Sequence, residues 1–391
     1  MRVTFLTGEY PPMQGGIADH TALLARHLAP LGVSSSVLTA RRWQEVAPDS
    51  PDPAVHPVIP NWGWRCWPAV AGFVRRHRPD VLHIQYQAAA FDLTGWVNWL
   101  ARFLRFLPAR PRLVVTFHDL RVPYIFPKAG RFRWLSMLAL ARHCDAVICT
   151  NREDRHTLER ALRKPPRLAY IPLGSNADPQ PPPDFDRAEW RKRYGAGKNS
   201  LLLAYFGFMN ASKGGEELIE AVALLRQQGI DARLLFVGGE VGHADPTNQA
   251  YAARVRGLIQ RHGLEAVVFR TGYVDLPQVS ANLLAADAVV MPYRDGVSFR
   301  RTTLIAALRH GCPVVSTAPV NPAFIPEIRP GENMLLAPPG DAPGLALQIA
   351  RLVDSPDLRR RLSEAALELG RLFDWPEIAH QTYQLYREVC P

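Results

Sequence analysis

No run of 18 or more apolar residues occurs in the 391-residue sequence, so no segment is long enough to span a bilayer as a helix. Cysteine is scarce: Cys66, Cys144, Cys149, Cys312 and Cys390 are scattered, odd in number and never spaced as CxxC. That argues against a disulfide framework or a zinc site and points to a reducing cytoplasm. The opening MRVTFLTGEYPP has too short an apolar stretch before Gly8 and Glu9 for a signal peptide, and it reads as a first strand. The loop after that strand is not GxGxxG, so a nicotinamide fingerprint is missing there. Acids are the minority charge, 36 against 46 Lys and Arg, a formal net charge of +10. Such a balance suits an anionic partner: a nucleotide, a phospholipid surface or a nucleic acid. It also arises from codon usage alone. The arginines are dispersed and no recognition module for nucleic acid is present, so nucleic acid is not expected.

With 47% hydrophobic and 21% charged residues, the composition is that of a soluble globular protein, and the length suggests two domains. Short β-branched runs alternate with amphipathic segments. In the first half they are Val3–Thr7, Ser35–Thr39, Val81–Gln85, Leu113–Phe117, Ala146–Thr150 and Leu168–Ile171. In the second they are Leu201–Phe206, Arg233–Val237, Val267–Arg270, Ala288–Met291 and Pro313–Ser316. Continuous apolar strands between helices mean parallel sheets covered on both faces. The expected fold is therefore α/β, two Rossmann-like doubly wound domains facing a cleft, with ligands at the C-terminal ends of the strands. The prolines of Pro179–Pro183 suggest a stiff connector over 175–197, between domains at 1–174 and 198–372.

Four loops at those strand ends carry candidate chemistry. Gly15 and Gly16 precede a helix whose N-terminal amides could hold a phosphate, or form a simple strand–helix turn. His118 ends the strand VVTF, where it could hydrogen-bond a sugar hydroxyl, accept a proton or cap the next segment. His83 and His27 are expected to pack or face solvent. After Gly207, Ser212 is expected to cap a helix at whose start Lys213 suits a diphosphate. The spacing is not GxxxxGK[ST], so a P-loop nucleotidase is disfavoured. In the fourth loop, YRDGVS leads to FRRTTLIAALRHG, with Ser298 as expected N-cap and amides over Phe299–Thr303. Arg300 and Arg301 stand at a helix end that already favours anions, which a phosphate between them would explain.

Taken together, EYPPMQGGIADHT, VVTFHD, YIPLGSN, YFGFMNASKGGEELIEAVALL, LLAADAVVMPYRDGVS and AALRHGCPVVST resemble the retaining GT-B glycosyltransferases of family 4, often called group 1. The resemblance covers nearly the whole chain. It implies a GT-B fold whose last helix, about 373–391, crosses back to the N-terminal domain. It also implies a nucleotide-diphosphate sugar as donor substrate, no other cofactor and no metal. Gly15 and Gly16 would then lie near the donor diphosphate and His118 near the transferred sugar. Lys213 would contact the diphosphate, and the amides of Arg300, Arg301 and Thr302 its distal phosphate; His118, Lys213 and Arg301 would be the catalytic groups. Two family glutamates fall here at Ser298 and Ala306, and the basic residue after the family's glycine is Phe208, so the donor site is divergent.

The resemblance makes a hexosyltransferase acting on a sugar, lipid-linked or small-molecule acceptor the leading expectation. A non-catalytic nucleotide-sugar-binding subunit and a nucleotide-sugar epimerase are the alternatives. Trp96, Trp99, Leu100, Phe103, Leu104 and Leu107 recur at helical spacing beside Arg102, Arg105 and Arg110. That stripe either packs on the first sheet or makes peripheral contact with the inner face of a membrane.

Overall fold

The computed structural model describes residues 1–13, 15–47, 54–120, 130–163, 166–239 and 246–390. The first part of the chain forms β1 (Arg2–Leu6), α1 (Gly16–Leu28), β2 (Ser34–Ala40), α2 (Arg42–Val46), β3 (Val55–Ile59), α3 (Cys66–His77) and β4 (Val81–Tyr86). It continues through α4 (Val97–Leu104), β5 (Arg112–Phe117), α5 (Gly130–His143), β6 (Ala146–Cys149), α6 (Arg152–Ala161) and β7 (Arg167–Tyr170). Next come α7 (Arg187–Lys192), β8 (Leu201–Phe206), α8 (Gly215–Gln227), β9 (Ala232–Val237), α9 (Pro246–Arg261), β10 (Val268–Arg270) and α10 (Leu276–Ala285). The chain ends with β11 (Ala288–Met291), α11 (Thr302–Arg309), β12 (Val314–Thr317), β13 (Leu335–Ala337), α12 (Ala342–Ala350), α13 (Pro356–Gly370) and α14 (Trp375–Val389). Contacts divide it into two units. Unit 1 is Met1–Asn176 together with the chain from Asp374, and unit 2 is Ala177–Phe373.

Unit 1 holds a seven-stranded parallel sheet of order β3-β2-β1-β4-β5-β6-β7. All six residues of β4 are buried, as expected for a parallel strand with helices on both faces. On one face Val3, Phe5, Val81 and Val114 pack against Leu24 and Leu28 of α1 and Ile378, Ala379 and Leu385 of α14. Each such side chain contributes about 1.5–3 kcal/mol on full burial. Trp375 starts α14 with its ring against Gly174, where a Cβ would collide, and its indole N–H donates to the Ser175 carbonyl at 2.6 Å. The last helix is thereby fixed to unit 1.

Two strands lie outside the sequence expectation. β3 is an edge strand interrupted by Pro57, which has no N–H for a ladder, and β13 has only three residues. Of the stripe around α4, Leu100 and Leu104 are buried and Phe103 and Leu107 pack partly against the same core, while Trp96 stays exposed. Val97 and Ala101 are buried as well, and Asn98 Nδ2 donates to Ser136 Oγ of α5 at 2.6 Å. Among the described residues no helix is long and apolar enough to cross a membrane.

Unit 2 holds a six-stranded parallel sheet of order β10-β9-β8-β11-β12-β13. The stretch 175–197, expected as a connector, folds into this unit from Ala177 onward. Asp186 caps α7 by accepting from the Glu189 amide at 2.8 Å, and Trp190 and Arg191 are buried. Arg191 reaches Asp287 at 2.7 Å, Arg187 reaches the same carboxylate at 2.9 Å, and the Leu202 amide donates to it at 2.8 Å. One aspartate thus ties α7 and β8 to the start of β11. Asp287→Ala strands the buried Arg191 charge and is expected to cost about 3–5 kcal/mol. Urea denaturation measures it, and a loss below about 1 kcal/mol would show that the pair is not structural.

Candidate active site

In each sheet the strand order reverses once, between β1 and β4 in unit 1 and between β8 and β11 in unit 2. Crossovers leave such a switch point in opposite directions, so the loops beyond the strand ends part and leave room for a ligand. The candidate residues fall on these loops and their neighbours.

In unit 2, β8 runs into Gly207, whose φ of 106° favours glycine and where a Cβ would come within 2.8 Å of Thr303 and 3.3 Å of Lys213 Nζ. Lys213 closes the 3-10 turn Ala211–Lys213 and donates from Nζ to the Phe208 carbonyl at 2.7 Å. Gly214 follows at φ 69°, and a Cβ there would collide with the Pro292 carbonyl. The structure therefore brings together Gly207, Lys213 and the start of α11. Gly214, not Ser212, is the N-cap of α8, because only glycine allows that approach. Ser212 Oγ instead hydrogen-bonds Asn210 at 2.8 Å.

The fourth loop also departs from expectation. α11 begins at Thr302 with Arg301 as its N-cap, so Ser298 does not cap it. Phe299, expected in the helix, is buried edge-on against Phe373 at 5.0 Å, and Ser298 Oγ accepts from the Arg300 amide at 3.3 Å. Arg301 Nη2 lies 2.8 and 2.7 Å from the two oxygens of Asp295, and its guanidinium stands over the Tyr293 ring at 5.0 Å. The negative group that Arg301 faces is thus a carboxylate of its own loop. Arg294 is likewise held by Glu217 at 2.6 Å and Glu216 at 2.7 Å. Among the described residues Lys213 has no acidic partner. Burial pushes its pKa down to about 8, with the Arg301 charge adding to the effect. Thr302 sits at the first turn of α11, whose N–H groups have no partner within the helix. Phe208 is exposed and lies against Gly239, beside a small hollow lined by Gly207, Gly238, Gly239, Gly272, Phe236 and Arg270. Ala306 is fully buried and presents no polar side chain.

In unit 1, Gly16 opens α1 and Gly15 precedes it in extended backbone, with the Glu9 carboxylate filling the space a Cβ would take. Nothing crowds Gly16. His118 follows β5, and its N–H continues the ladder to the Tyr86 carbonyl at 3.1 Å. Its Nε2 bonds Gln85 Oε1 at 2.8 Å, and its ring meets His20 of α1 edge-on at 4.8 Å. His83 bonds Tyr386 of α14 at 2.6 Å and Thr116 at 2.7 Å. Burial pushes the pKa of His118 down to about 4 and that of His83, with the His118 charge adding, to about 3. His20 is lowered well below its ordinary range by burial, then by His118 and His83. Sequence reasoning passed over Gln85 and His20; His83, expected to pack or face solvent, is fully buried. The available signal was a polar pair at i, i+2 inside an otherwise apolar buried strand, which places both on one face.

Two doubly wound parallel sheets with polar loops at both switch points are the architecture of the GT-B fold. Sucrose-phosphate synthase from Thermosynechococcus elongatus shares this fold at TM-score 0.77, with 24% identity over 100% of this chain and 99% of its own. Anabaena HepE, solved in complex with UDP, also reaches TM-score 0.77, with 20% identity over 99% of this chain and 100% of its own. Residues 15–174 match the glycosyl transferase 4-like domain and residues 186–369 match glycosyl transferases group 1. The chain belongs to the group 1 glycosyltransferases. Among curated relatives, an alpha-D-kanosaminyltransferase of Streptomyces kanamyceticus is 27% identical over 66% of this chain, a match spanning 64% of the relative. A D-inositol 3-phosphate glycosyltransferase of Streptomyces scabiei is 26% identical over 79% of this chain and 69% of its own length.

An ammonium that titrates near neutral pH gives a direct test. Affinity for a nucleoside diphosphate is expected to fall as pH rises through about 8, because only the protonated Lys213 attracts it. Lys213→Gln is expected to bind more weakly by about 1.5–3 kcal/mol and to lose that part of the pH dependence. Calorimetry with ADP, GDP and UDP reads both, and an unchanged profile in the variant would take Lys213 out of the anion site.

Proposed function

We propose that the chain moves a hexosyl group from a nucleotide-diphosphate sugar to a hydroxyl acceptor with retention, without a metal ion. The observation that carries this reading is the Lys213 ammonium. It stands without an acidic partner among the described residues, drawn over Gly207 beside the start of α11. As the glycosidic bond breaks, charge grows on the leaving diphosphate, and a fixed cation and helix N-terminus stabilise that charge more than the ground state. Arg301 adds little attraction of its own, since Asp295 answers its charge; it acts by lowering the pKa of Lys213 beside it. Gly15 and Gly16 supply close backbone approach to the donor, and Thr302 takes the distal phosphate, joined by the Arg300 and Arg301 amides once they leave Ser298, to which they donate at 3.3 Å. Phe208 borders the donor site in place of a basic residue. His118, held neutral by burial, accepts a hydrogen bond from a sugar hydroxyl. Front-face attack with the leaving phosphate oxygen taking the acceptor proton requires no protein nucleophile.

The replacement of two family glutamates by Ser298 and the buried Ala306 favours a second reading, in which the chain binds a nucleotide sugar without turnover. The two separate in one experiment. A melting-temperature panel with UDP, GDP, ADP, TDP and their common sugar conjugates is expected to show a shift with one base. Slow hydrolysis of that donor establishes catalysis; a shift with no hydrolysis or transfer selects the binding subunit, and no shift at all overturns both.

For the acceptor, a membrane-associated substrate is supported by the aromatic residues that remain exposed once α4 has packed. Phe106 is 80% exposed, Phe132 68%, Trp64 57% and Trp96 42%, with Arg65, Arg102, Arg105 and Arg131 alongside in the chain and exposed. Aromatic rings and arginines together suit an anionic lipid surface. Vesicles containing phosphatidylglycerol are expected to co-sediment the protein at low salt, and Phe106→Ser with Trp96→Ser to weaken binding at least several-fold. Recovery with neither vesicle would leave a soluble acceptor, and equal recovery with neutral vesicles would take the arginines out of the contact.

A further inference from the structure

The polar residues of β4 form a buried chain that ends at His118. Tyr386 and Thr116 occupy the two ring nitrogens of His83. The amide nitrogen of Gln85 lies 3.5 Å from both of those nitrogens, over the His83 ring. An amide group has one donor end and one acceptor end. With its nitrogen turned to His83, Gln85 presents its oxygen to His118 Nε2 at 2.8 Å. A carbonyl oxygen only accepts, so the proton of the His118 ring stands on Nε2 and the lone pair on Nδ1. Among the described residues Nδ1 makes no hydrogen bond.

We propose that Gln85 is a positioning residue for the transfer reaction, fixing His118 as the Nε2–H tautomer so that Nδ1 can only accept a hydrogen bond from a ligand hydroxyl. This rests on the glycosyltransferase reading above. A second hydrogen bond that sets tautomer and ring orientation is a recurrent requirement for a working histidine. Among the described residues the titratable groups around His118 are His20 on α1, His83 on β4 and, behind His83, Tyr386 on α14, with Asp119 next in the chain. Burial holds all three histidines below their ordinary range, so the surroundings carry no imidazolium at neutral pH. Gln85 is itself fully buried, which keeps water from replacing its oxygen.

The test uses the full chain labelled with 15N-histidine and two-bond proton–nitrogen correlation spectra, with His118→Gln to assign the signal. His118 is expected to appear as the neutral Nε2–H tautomer from about pH 8 down to about pH 5. Gln85→Glu places a carboxylate on the same nitrogen and is expected to raise the His118 titration by a unit or more, carrying the acid limb of donor turnover upward with it. Gln85→Met is expected to give a mixture of tautomers and to lower kcat about tenfold or more at unchanged melting temperature. A wild-type Nδ1–H tautomer, or a Gln85→Glu protein whose His118 titrates as before, overturns the proposal. If neither variant folds, the wild-type tautomer alone decides. The spectra need no substrate, so the expected tautomer in a protein that turns over no donor would refute the glycosyltransferase reading and leave the role of Gln85 toward His118 standing.

Discussion

A parallel strand reaches its neighbour only through a crossover, and the face over which that crossover passes decides where loops part at the strand ends. In both sheets of this chain the order reverses between the first strand and the strand that follows two outward crossovers. Every candidate group depends on that reversal. β1 and β4 deliver Gly15, Gly16 and Gln85, with His118 one strand over. β8 and β11 deliver Lys213 and the loop that carries Arg294 to Arg301. The apolar strands hold these loops at fixed spacing, and the polar residues beyond them need only short reach.

Within unit 2 the net charge of the sequence is a poor guide to the anion site. The arginines that dominate composition are largely spent on carboxylates: Arg301 on Asp295, Arg294 on Glu216 and Glu217, Arg191 and Arg187 on Asp287. A paired arginine presents little field to an incoming diphosphate, since its Coulomb attraction is cancelled a few ångströms away. The single lysine of the loop stays unpaired among the described residues and is partly desolvated, so its charge is cheaper to neutralise with a phosphate than with water. The pairing also bears on the two absent glutamates. Neither Ser298 nor Ala306 offers a carboxylate, and the one carboxylate retained in that loop, Asp295, is committed to Arg301.

The strands and the two-fold repetition of the α/β pattern were legible because a parallel strand covered on both faces leaves an unbroken apolar run. β3 was not, because Pro57 breaks the run and edge strands tolerate proline, and β13 is too short to show periodicity. Helix starts were misread for a physical reason as well. Ser212 and Ser298 have the side chains that cap helices, yet at α8 a close carbonyl, that of Pro292, demands glycine at the cap. At α11 the burial of Phe299 against Phe373 keeps the chain in a turn for three more residues. The loops named from sequence lie at the ends of the strands around the two switch points; the histidine network was hidden because it needs the register of β4 with β5 and the arrival of α14, and neither is local.

The two units present opposite electrostatic characters. In unit 1 burial strips charge from three histidines and leaves neutral rings joined by hydroxyl and amide groups. A neutral polar network in a low-dielectric setting discriminates by direction: it rewards a hydroxyl that donates where a lone pair waits and gives nothing to an anion. In unit 2 the Lys213 ammonium and a helix N-terminus reward negative charge with little regard to its exact orientation. A charged histidine in unit 1 would attract anions instead, which is why the burial around His118 matters as much as the presence of the ring.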